Sequence, residues 1–213
     1  MRNTEKYFSF SFFYIMLRLV IGPMWAGKTD HVIRLARRYR AIDKNVLFVD
    51  HVSNVRYRKC NVVDSIVNEN IEIDNLNNNV TSHDGVTENC IIVDTLNEMK
   101  VMEKYKEAQV VIIEEAQFFS DLYEFVISES DKLDKDFICS GLSGDFERNI
   151  IGDMMMLVPH AEFVDKLNGF CCLCKDGTPG SFTKRLGDNK NKFLVGGKEL
   201  YSCVCRKHYL SQM

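Results

Sequence analysis

One run of eight residues, 22–29, constrains this chain more than any other part of its sequence. It reads GPMWAGKT and matches G-x-x-x-x-G-K-[ST] at every fixed position. An apolar run typical of a buried strand precedes it at residues 17–21, and an amphipathic helix pattern follows Asp30. A strand that leads through a glycine loop into a helix presents backbone N–H groups to phosphate oxygens. The motif predicts that Lys28 contacts nucleotide phosphates and that the Thr29 hydroxyl ligates Mg²⁺.

Strand and helix patterns alternate along the first two thirds of the chain. Because each helix lies between two apolar strands, the alternation predicts βαβ units and a mostly parallel sheet flanked by helices. Strands are predicted at residues 17–21, 45–50, 90–93, 110–113 and 137–140, and helices at 31–42, 95–106 and 122–130. A polar stretch at 61–89 carries two candidate hairpin strands, 65–67 and 71–73.

Two adjacent acids follow the most apolar of these strands, residues 110–113. They are Glu114 and Glu115. Acids at a strand end are common and weak evidence alone, but next to a phosphate loop they complete a nucleotide site. One carboxylate would position Mg²⁺, and the other would act on a nucleophile.

The cysteines of the C-terminal stretch are spaced as in a metal site. Cys171 with Cys174, and Cys205 with His208, each enclose two residues, the ligand spacing of a tetrahedral Zn²⁺ site. A closed set of three cysteines and one histidine leaves no open position, which favours a structural role for the zinc. Cys172 and Cys203 are left outside the set. Five ordinary core cysteines would be the alternative interpretation.

The composition excludes several classes of protein. With 46% hydrophobic and 27% charged residues the chain is neither disordered nor fibrous. Its formal charge of −3 supplies no global basic field, so nucleic acid is not an expected partner. The clustered cysteines favour a reducing compartment, and a cytoplasmic location is expected.

Residues 1–16 form an extension whose role is open. The segment begins with basic residues followed by a Phe-rich apolar run, as in a signal peptide, but it lacks a small-residue cleavage site. It is too short to span a membrane. A targeting segment, a dispensable extension and a mis-assigned start with Met16 as the true first residue all remain open. Residues 17–165 are predicted as an α/β P-loop domain, and 166–213 as a small zinc-binding domain.

Seven segments together resemble the type II thymidine kinases, the cytosolic family with a zinc-bearing lasso. In order they read GPMWAGKT, EEAQFF, GLSGDFERN, LVPHAEFVDKL, FTKRL, VGGKELY and CVCRKHY. The resemblance runs from about residue 17 to 209. It implies a RecA-like P-loop fold with a C-terminal lasso, and transfer of the ATP γ-phosphoryl group to the 5′-hydroxyl of thymidine or deoxyuridine in deoxynucleotide salvage.

The resemblance also assigns roles to residues. Glu115 matches the catalytic base and Arg56 an arginine near the reacting phosphate; a carboxylate suits proton abstraction and a guanidinium suits transition-state charge. Glu114 and Thr29 would hold Mg²⁺, and Arg148 would serve the phosphates. The phosphate loop would comprise Gly22, Pro23, Met24, Trp25, Ala26, Gly27, Lys28 and Thr29. The nucleoside would lie against Met24, Phe118, Phe146, Phe182, Thr183, Val195, Gly196, Gly197 and Tyr201.

The family further implies a homotetramer, inhibition by thymidine triphosphate, no membrane association, and a structural zinc that orders the lasso. The chain departs from the usual pattern at several positions. Glu114 stands where an Asp is usual, Asn54 and Val55 where Asp and Thr often precede the arginine, and Trp25 and Ala26 where Phe and Ser are commoner. None of these changes removes a catalytic group, so an active enzyme is expected.

Two other functions stay open at this point. A P-loop ATPase whose zinc knuckle binds nucleic acid or a protein would account for the lysines around the cysteines, but not for the EEAQFF and TKRL–VGG segments. A paralogue that binds nucleotide without catalysis would account for Glu114 and Asn54. The sequence does not decide how thymidine, deoxyuridine and deoxycytidine are ranked as acceptors.

Overall fold

The structure, a computed structural model, describes residues 16–54, 79–81, 85–132, 134–187 and 200–211. Within these ranges, seven strands form the main sheet: β1 (Leu17–Gly22), β2 (Val46–His51), β3 (Asn79–Thr81), β4 (Thr87–Val93), β5 (Val110–Ile113), β6 (Asp136–Leu142) and β7 (Phe163–Lys166). Their order across the sheet is β3-β4-β2-β5-β6-β1-β7. Every neighbouring pair is parallel except β3 with β4. The predicted fold class, a mostly parallel sheet flanked by helices, is confirmed.

Helices cover both faces of this sheet. One face packs against α1 (Lys28–Arg40). The other face packs against α2 (Glu103–Glu107), α3 (Leu122–Ser130) and the 3₁₀ helices Leu96–Val101 and Met154–His160. None of the described helices is both long and apolar enough to cross a membrane.

The strands alternate their side chains between two apolar layers. On β5, Val110 and Ile112 lie in the layer beneath α1, whereas Val111 and Ile113 lie in the opposite layer. All four side chains are fully buried. A strand covered on both faces needs such an uninterrupted apolar run. The run at residues 110–113 therefore predicts this strand correctly.

The C-terminal part is built from short elements. β8 (Gly169–Phe170) pairs with β9 (Pro179–Gly180), and β10 (Phe182–Arg185) pairs with β11 (Tyr201–Val204), both antiparallel. A five-residue helix, α4 (Arg206–Leu210), follows and has no buried residue. β10 reaches the carboxyl end of β1, since Thr183 accepts a hydrogen bond from Met24, two residues after that strand ends.

A helix beside the main sheet and a strand within it differ from the sequence prediction. The single helix predicted over 95–106 is wrong: a 3₁₀ helix ends at Val101 and α2 begins at Glu103. The backbone of Met102 is extended between them, with φ −77° and ψ 135°. This break lets Met99 and Tyr105, on either side of it, both reach the core. Strand β7 was not predicted as a strand, and the candidate hairpin strands 65–67 and 71–73 lie outside the described residues.

Candidate active site and zinc centre

The loop between β1 and α1 stands at the carboxyl end of the sheet. Gly22 has no space for a side chain, because a Cβ there would lie 2.8 Å from the backbone oxygen of Leu167. Trp25 and Gly27 have positive φ angles, 66° and 76°, which turn the backbone sharply into the helix. The N-cap residue of α1 is Gly27, which has no side chain to cap the helix. The N-terminus of a helix after such a loop suits an anion.

Lys28 folds back over this loop. Its Nζ donates a hydrogen bond to the carbonyl oxygen of Pro23 at 3.0 Å. Its charge also acts on the Glu114 carboxyl at the end of β5, where it favours the ionised form. The predicted phosphate-contacting lysine and the predicted metal-site acid thus lie within electrostatic reach of each other.

Glu114 is a fully enclosed carboxyl. It is 3% exposed, and its Oε2 accepts a hydrogen bond from the Ser140 hydroxyl at 2.9 Å. Its Oε1 is buried without a hydrogen-bond partner in the described part of the chain. Burial first, and then the neighbouring charge of Glu115, raise the pKa of Glu114 to about 7. A divalent cation beside Oε1 would supply the missing partner and favour the charged carboxylate, so the site fits a metal ion.

A third acid, Asp50, stands near the end of β2. It is 6% exposed, and its charge contributes to the raised pKa of Glu114. The Asn54 side-chain amide donates to both Asp50 oxygens, at 3.1 and 3.0 Å. Asn54 therefore has a definite role in this chain, since it holds a buried carboxylate in place.

Glu115 lies beside Glu114 in an unusual backbone conformation. Its φ and ψ are 47° and 41°, the left-handed region, which non-glycine residues seldom adopt. The side-chain amide of Gln117 donates to Glu115 Oε2 at 2.6 Å. The acid predicted as catalytic base is thus partly exposed and accepts a hydrogen bond from a buried neighbour.

The C-terminal elements contact the loop directly. The backbone N–H of Met24 donates to the Thr183 hydroxyl at 3.0 Å, and this contact is buried. Gly169 approaches the loop so closely that a Cβ there would lie 2.8 Å from the carbonyl oxygen of Trp25. Two of the residues predicted to line a nucleoside pocket, Met24 and Thr183, are therefore joined across 159 positions of sequence.

An arginine connects two more of the predicted pocket residues. The Arg185 guanidinium lies 3.7 Å from the centre of the Phe146 ring and donates to the Tyr201 hydroxyl at 2.6 Å. Tyr209, in α4, contacts the loop that carries Phe146, because its hydroxyl donates to the Phe146 carbonyl at 2.8 Å. The sequence showed Arg185 only as one of the basic residues near the cysteines and assigned it no role in the pocket, although it stands in the TKRL segment.

A cavity of about 230 Å³ opens between the loop and the C-terminal elements. Pro23, Arg148, Phe182 and Thr183 are among the residues that line it. The Arg148 side chain also lies over the Tyr209 ring, 4.6 Å from its centre. The cavity thus brings together predicted phosphate-contacting and nucleoside-contacting residues. Other predicted residues, Arg56, Val195, Gly196 and Gly197, lie outside the described residues.

The four predicted zinc ligands converge. Donor atoms of Cys171, Cys174, Cys205 and His208 all lie within 4.8 Å of one another. His208 Nδ1 is 3.3 to 3.4 Å from each sulfur atom, and the Sγ atoms of Cys174 and Cys205 are 3.8 Å apart. A tetrahedron with Zn–S near 2.3 Å and Zn–N near 2.0 Å has edges of roughly 3.5–3.8 Å, so the donor set fits Zn²⁺.

The two remaining cysteines of this stretch stand apart from the cluster. Cys172 is exposed. Cys203 is buried, and a Cβ on either Gly169 or Gly180 would collide with its sulfur, at 2.9 and 2.6 Å. Cys203 therefore fills the space between β8 and β9, where those glycines make room for it.

Comparison with known proteins identifies the family to which this chain belongs. A family model described as "Thymidine kinase" matches residues 15–94 and 65–209. The chain belongs to the thymidine kinase family. It is accordingly a kinase, which favours this interpretation over an ATPase with a nucleic-acid-binding knuckle.

Relatives of this family member are found in viruses and plants. The "Thymidine kinase" of rabbit fibroma virus is 33% identical over 193 residues, which are 91% of this chain and 95% of the relative. That of sheeppox virus is 32% identical over 197 residues, 92% of this chain and 97% of the relative. "Thymidine kinase a" of Arabidopsis thaliana is 31% identical over 198 residues, 92% of this chain and 75% of the relative.

Proposed function

We propose that the protein transfers the γ-phosphoryl group of ATP to the 5′-hydroxyl of thymidine or deoxyuridine. The observation that carries this proposal is that the glycine loop after β1 and the two acids after β5 lie together at the carboxyl end of the sheet. The hydrogen bond between Met24 and Thr183 joins β10, in the C-terminal part, to the same loop. Family membership supports thymidine as the acceptor, while the donor and deoxyuridine rest on the motifs and the resemblance.

The loop and its helix would hold the donor. Backbone N–H groups of residues 22–27 and the start of α1 suit the phosphates, with Lys28 as a point charge on the β- and γ-phosphates. Thr29 and Glu114 would hold Mg²⁺, which neutralises charge on the phosphates when bound. Arg148 and Arg56 are further candidates for phosphate contacts.

Glu115 would act on the acceptor. As general base it takes the proton of the 5′-hydroxyl while the hydroxyl oxygen bonds to the γ-phosphorus and the bond to the β-phosphate oxygen breaks, which gives a 5′-monophosphate and ADP. The acceptor would lie against the predicted pocket residues Met24, Phe118, Phe146, Phe182, Thr183 and Tyr201, with backbone from residues 195–197. Such a site is mostly apolar and aromatic with few polar groups.

Other properties follow from the family resemblance and are proposed with the activity. They are assembly as a homotetramer, inhibition by thymidine triphosphate at the acceptor site, and a cytoplasmic location. Zinc at the Cys₃His cluster would order the lasso and take no part in the reaction.

An assay of acceptor specificity tests the proposal. Protein with its zinc content measured is incubated with ATP, Mg²⁺ and, separately, each of the four natural deoxynucleosides and deoxyuridine, and monophosphates are separated by chromatography. Products confined to thymidine and deoxyuridine are expected. Protein that carries zinc and binds ATP yet phosphorylates none of them would overturn the proposal and favour the non-catalytic paralogue.

A further inference from the structure

Gln117 is a buried polar residue that the proposed reaction does not use. It lies in the 3₁₀ helix Ala116–Phe118, directly after the two acids, and is 4% exposed. A buried amide costs stability unless its donors and acceptors are satisfied, so its partners indicate why it is there.

The amide of Gln117 connects Glu115 to the end of β6. Its Nε2 donates to Glu115 Oε2 at 2.6 Å, and its Oε1 accepts from the backbone N–H of Leu142 at 3.1 Å. The chemistry of the partners fixes the orientation of the amide, because the N–H of Leu142 can only donate and an ionised carboxylate can only accept. A flipped amide would lose both bonds.

Two glycines leave the room that Gln117 occupies. A Cβ on Gly141 would lie 2.5 Å from Gln117 Oε1, and a Cβ on Gly152 would lie 2.2 Å from the Gln117 backbone oxygen. Gly152 also has a positive φ of 53°. The side chain and backbone of Gln117 are therefore confined by neighbouring main chain, which cannot yield as a flexible side chain would.

Glu115 needs such a restraint. Its left-handed backbone is unfavourable for a residue with a Cβ and persists only where surrounding contacts hold it. The backbone N–H of Phe118 donates to the Glu115 carbonyl at 3.0 Å and fixes the turn. That bond leaves the carboxylate itself to be directed by side-chain contacts such as the one from Gln117.

We propose that Gln117 is a positioning residue that directs the Glu115 carboxylate by anchoring it to the end of β6. This inference rests on the proposed role of Glu115 as general base. A base works only within hydrogen-bond reach of the proton it takes, and small displacements of reacting groups lower rates strongly. Loss of the anchor therefore lowers the rate of phosphoryl transfer and leaves nucleoside binding almost unchanged.

A kinetic double-mutant cycle tests the inference. Gln117→Met keeps the size of the side chain but removes both hydrogen bonds. It is expected to lower kcat by about 10- to 100-fold, with the KM for thymidine within about 3-fold of wild type. In a Glu115→Gln background the same substitution is expected to cost less than about 2-fold, because the residue through which it acts no longer takes a proton.

A second variant and the melting temperatures of all variants separate positioning from misfolding. Gln117→Glu keeps an acceptor for Leu142 but places a second carboxylate beside Glu115 in a buried position, so a lower melting temperature and a reduced kcat are both expected. Tyr105→Phe is the matched control, because it removes a buried hydrogen bond to Glu129 far from the site. It should lower the melting temperature and leave kcat unchanged.

Two results would overturn the positioning role. One is a wild-type kcat in both Gln117 variants. The other is an equal loss from Gln117→Met with and without Glu115→Gln, which would indicate a general structural defect. A wild-type rate in Glu115→Gln alone would instead remove the proposed base, and with it the basis for this inference, and that single variant identifies the failure.

Discussion

The main sheet and the C-terminal elements are stabilised in different ways. Strands such as β5 are fully buried between two layers of side chains. The C-terminal part has strands of two to four residues and a short helix with no buried residue, and it exposes Phe170 by 75% and Leu210 by 63%. A segment with so little apolar burial needs another source of order, and a metal ion bound by the Cys₃His cluster would supply one.

This difference suggests that the two regions contribute differently to catalysis and to nucleoside binding. The acids and the glycine loop stand on the ends of a rigid sheet, which suits groups that must keep their geometry during a reaction. The residues from the C-terminal part approach them through a few contacts, such as Thr183 with Met24. We expect the sheet to set the rate of the chemical step and the C-terminal part to set the affinity for the nucleoside.

The largest effect is expected from Glu115→Gln. The substitution keeps the shape of the side chain and an oxygen that can accept from Gln117, but removes the proposed base. The kcat for thymidine should fall by about 10²- to 10⁴-fold with little change in KM, measured by steady-state kinetics. Glu103→Gln, which alters an exposed acid paired with Lys106, is the control and should leave kcat unchanged. A fall of less than about 3-fold would contradict the assignment.

Removal of the metal cluster should affect binding more than chemistry. Cys174→Ser is expected to lose zinc and to raise the KM for thymidine by about 10- to 100-fold, while the main sheet keeps its cooperative unfolding. Metal content and KM are the measurements. Cys172→Ser changes an exposed cysteine outside the cluster and should retain both zinc and affinity. An unchanged KM in zinc-free Cys174→Ser would contradict the expectation that the C-terminal part sets the affinity for the nucleoside.

A smaller effect is expected where the two regions meet. Thr183→Val removes the acceptor for the Met24 N–H and leaves that buried donor unsatisfied, at a cost of about 1–3 kcal/mol. The KM for thymidine should rise several-fold, and chemical denaturation should report the loss of stability. Thr87→Val, at an exposed position on β4, is the control. Equal behaviour of the two variants would show that the contact does not couple the regions.

The smallest effect on activity is expected at Glu129, inside the α/β core. Burial acts to raise the pKa of this carboxyl, but hydrogen bonds from Lys132, Tyr105 and Lys100 outweigh it and lower the pKa to about 2. A carboxyl with a lowered native pKa stabilises the fold above its ordinary pKa, and this contribution is lost as the pH falls towards 2.

Glu129→Gln should therefore lower the melting temperature at pH 7, and the difference from wild type should shrink between pH 4.5 and pH 2. Activity at pH 7 and 25 °C should be retained. Thermal melts of both proteins across this pH range provide the measurement. A melting-temperature difference that stays constant with pH would show that the lowered pKa does not stabilise the fold.

The same contrast between regions explains what could be predicted from sequence. In the sheet, the fully apolar run 110–113 and the glycine loop each have one reasonable structural interpretation, and both were placed correctly. The spacing of Cys171, Cys174, Cys205 and His208 alone predicted that they share one metal site, and the structure brings their donor atoms together. These signals are local, or depend on a metal geometry that is independent of the rest of the fold.

Other features depend on contacts that no local pattern contains. The break at Met102 serves the burial of residues on both sides of it, and the Ser140 bond to Glu114 joins neighbouring strands. Gln117 stood in the quoted EEAQFF segment, but its role depends on Leu142 and on the space left by Gly141. Such pairings become visible only when the strand order is known.

The most direct test of these different contributions is a single-turnover measurement of phosphoryl transfer from ATP at saturating thymidine. It compares wild type, Glu115→Gln and zinc-free Cys174→Ser. We predict a rate for Cys174→Ser within about 10-fold of wild type, and a rate for Glu115→Gln at least about 100-fold lower. A Cys174→Ser rate as low as that of Glu115→Gln would contradict this expectation, because the C-terminal part would then control the chemical step itself.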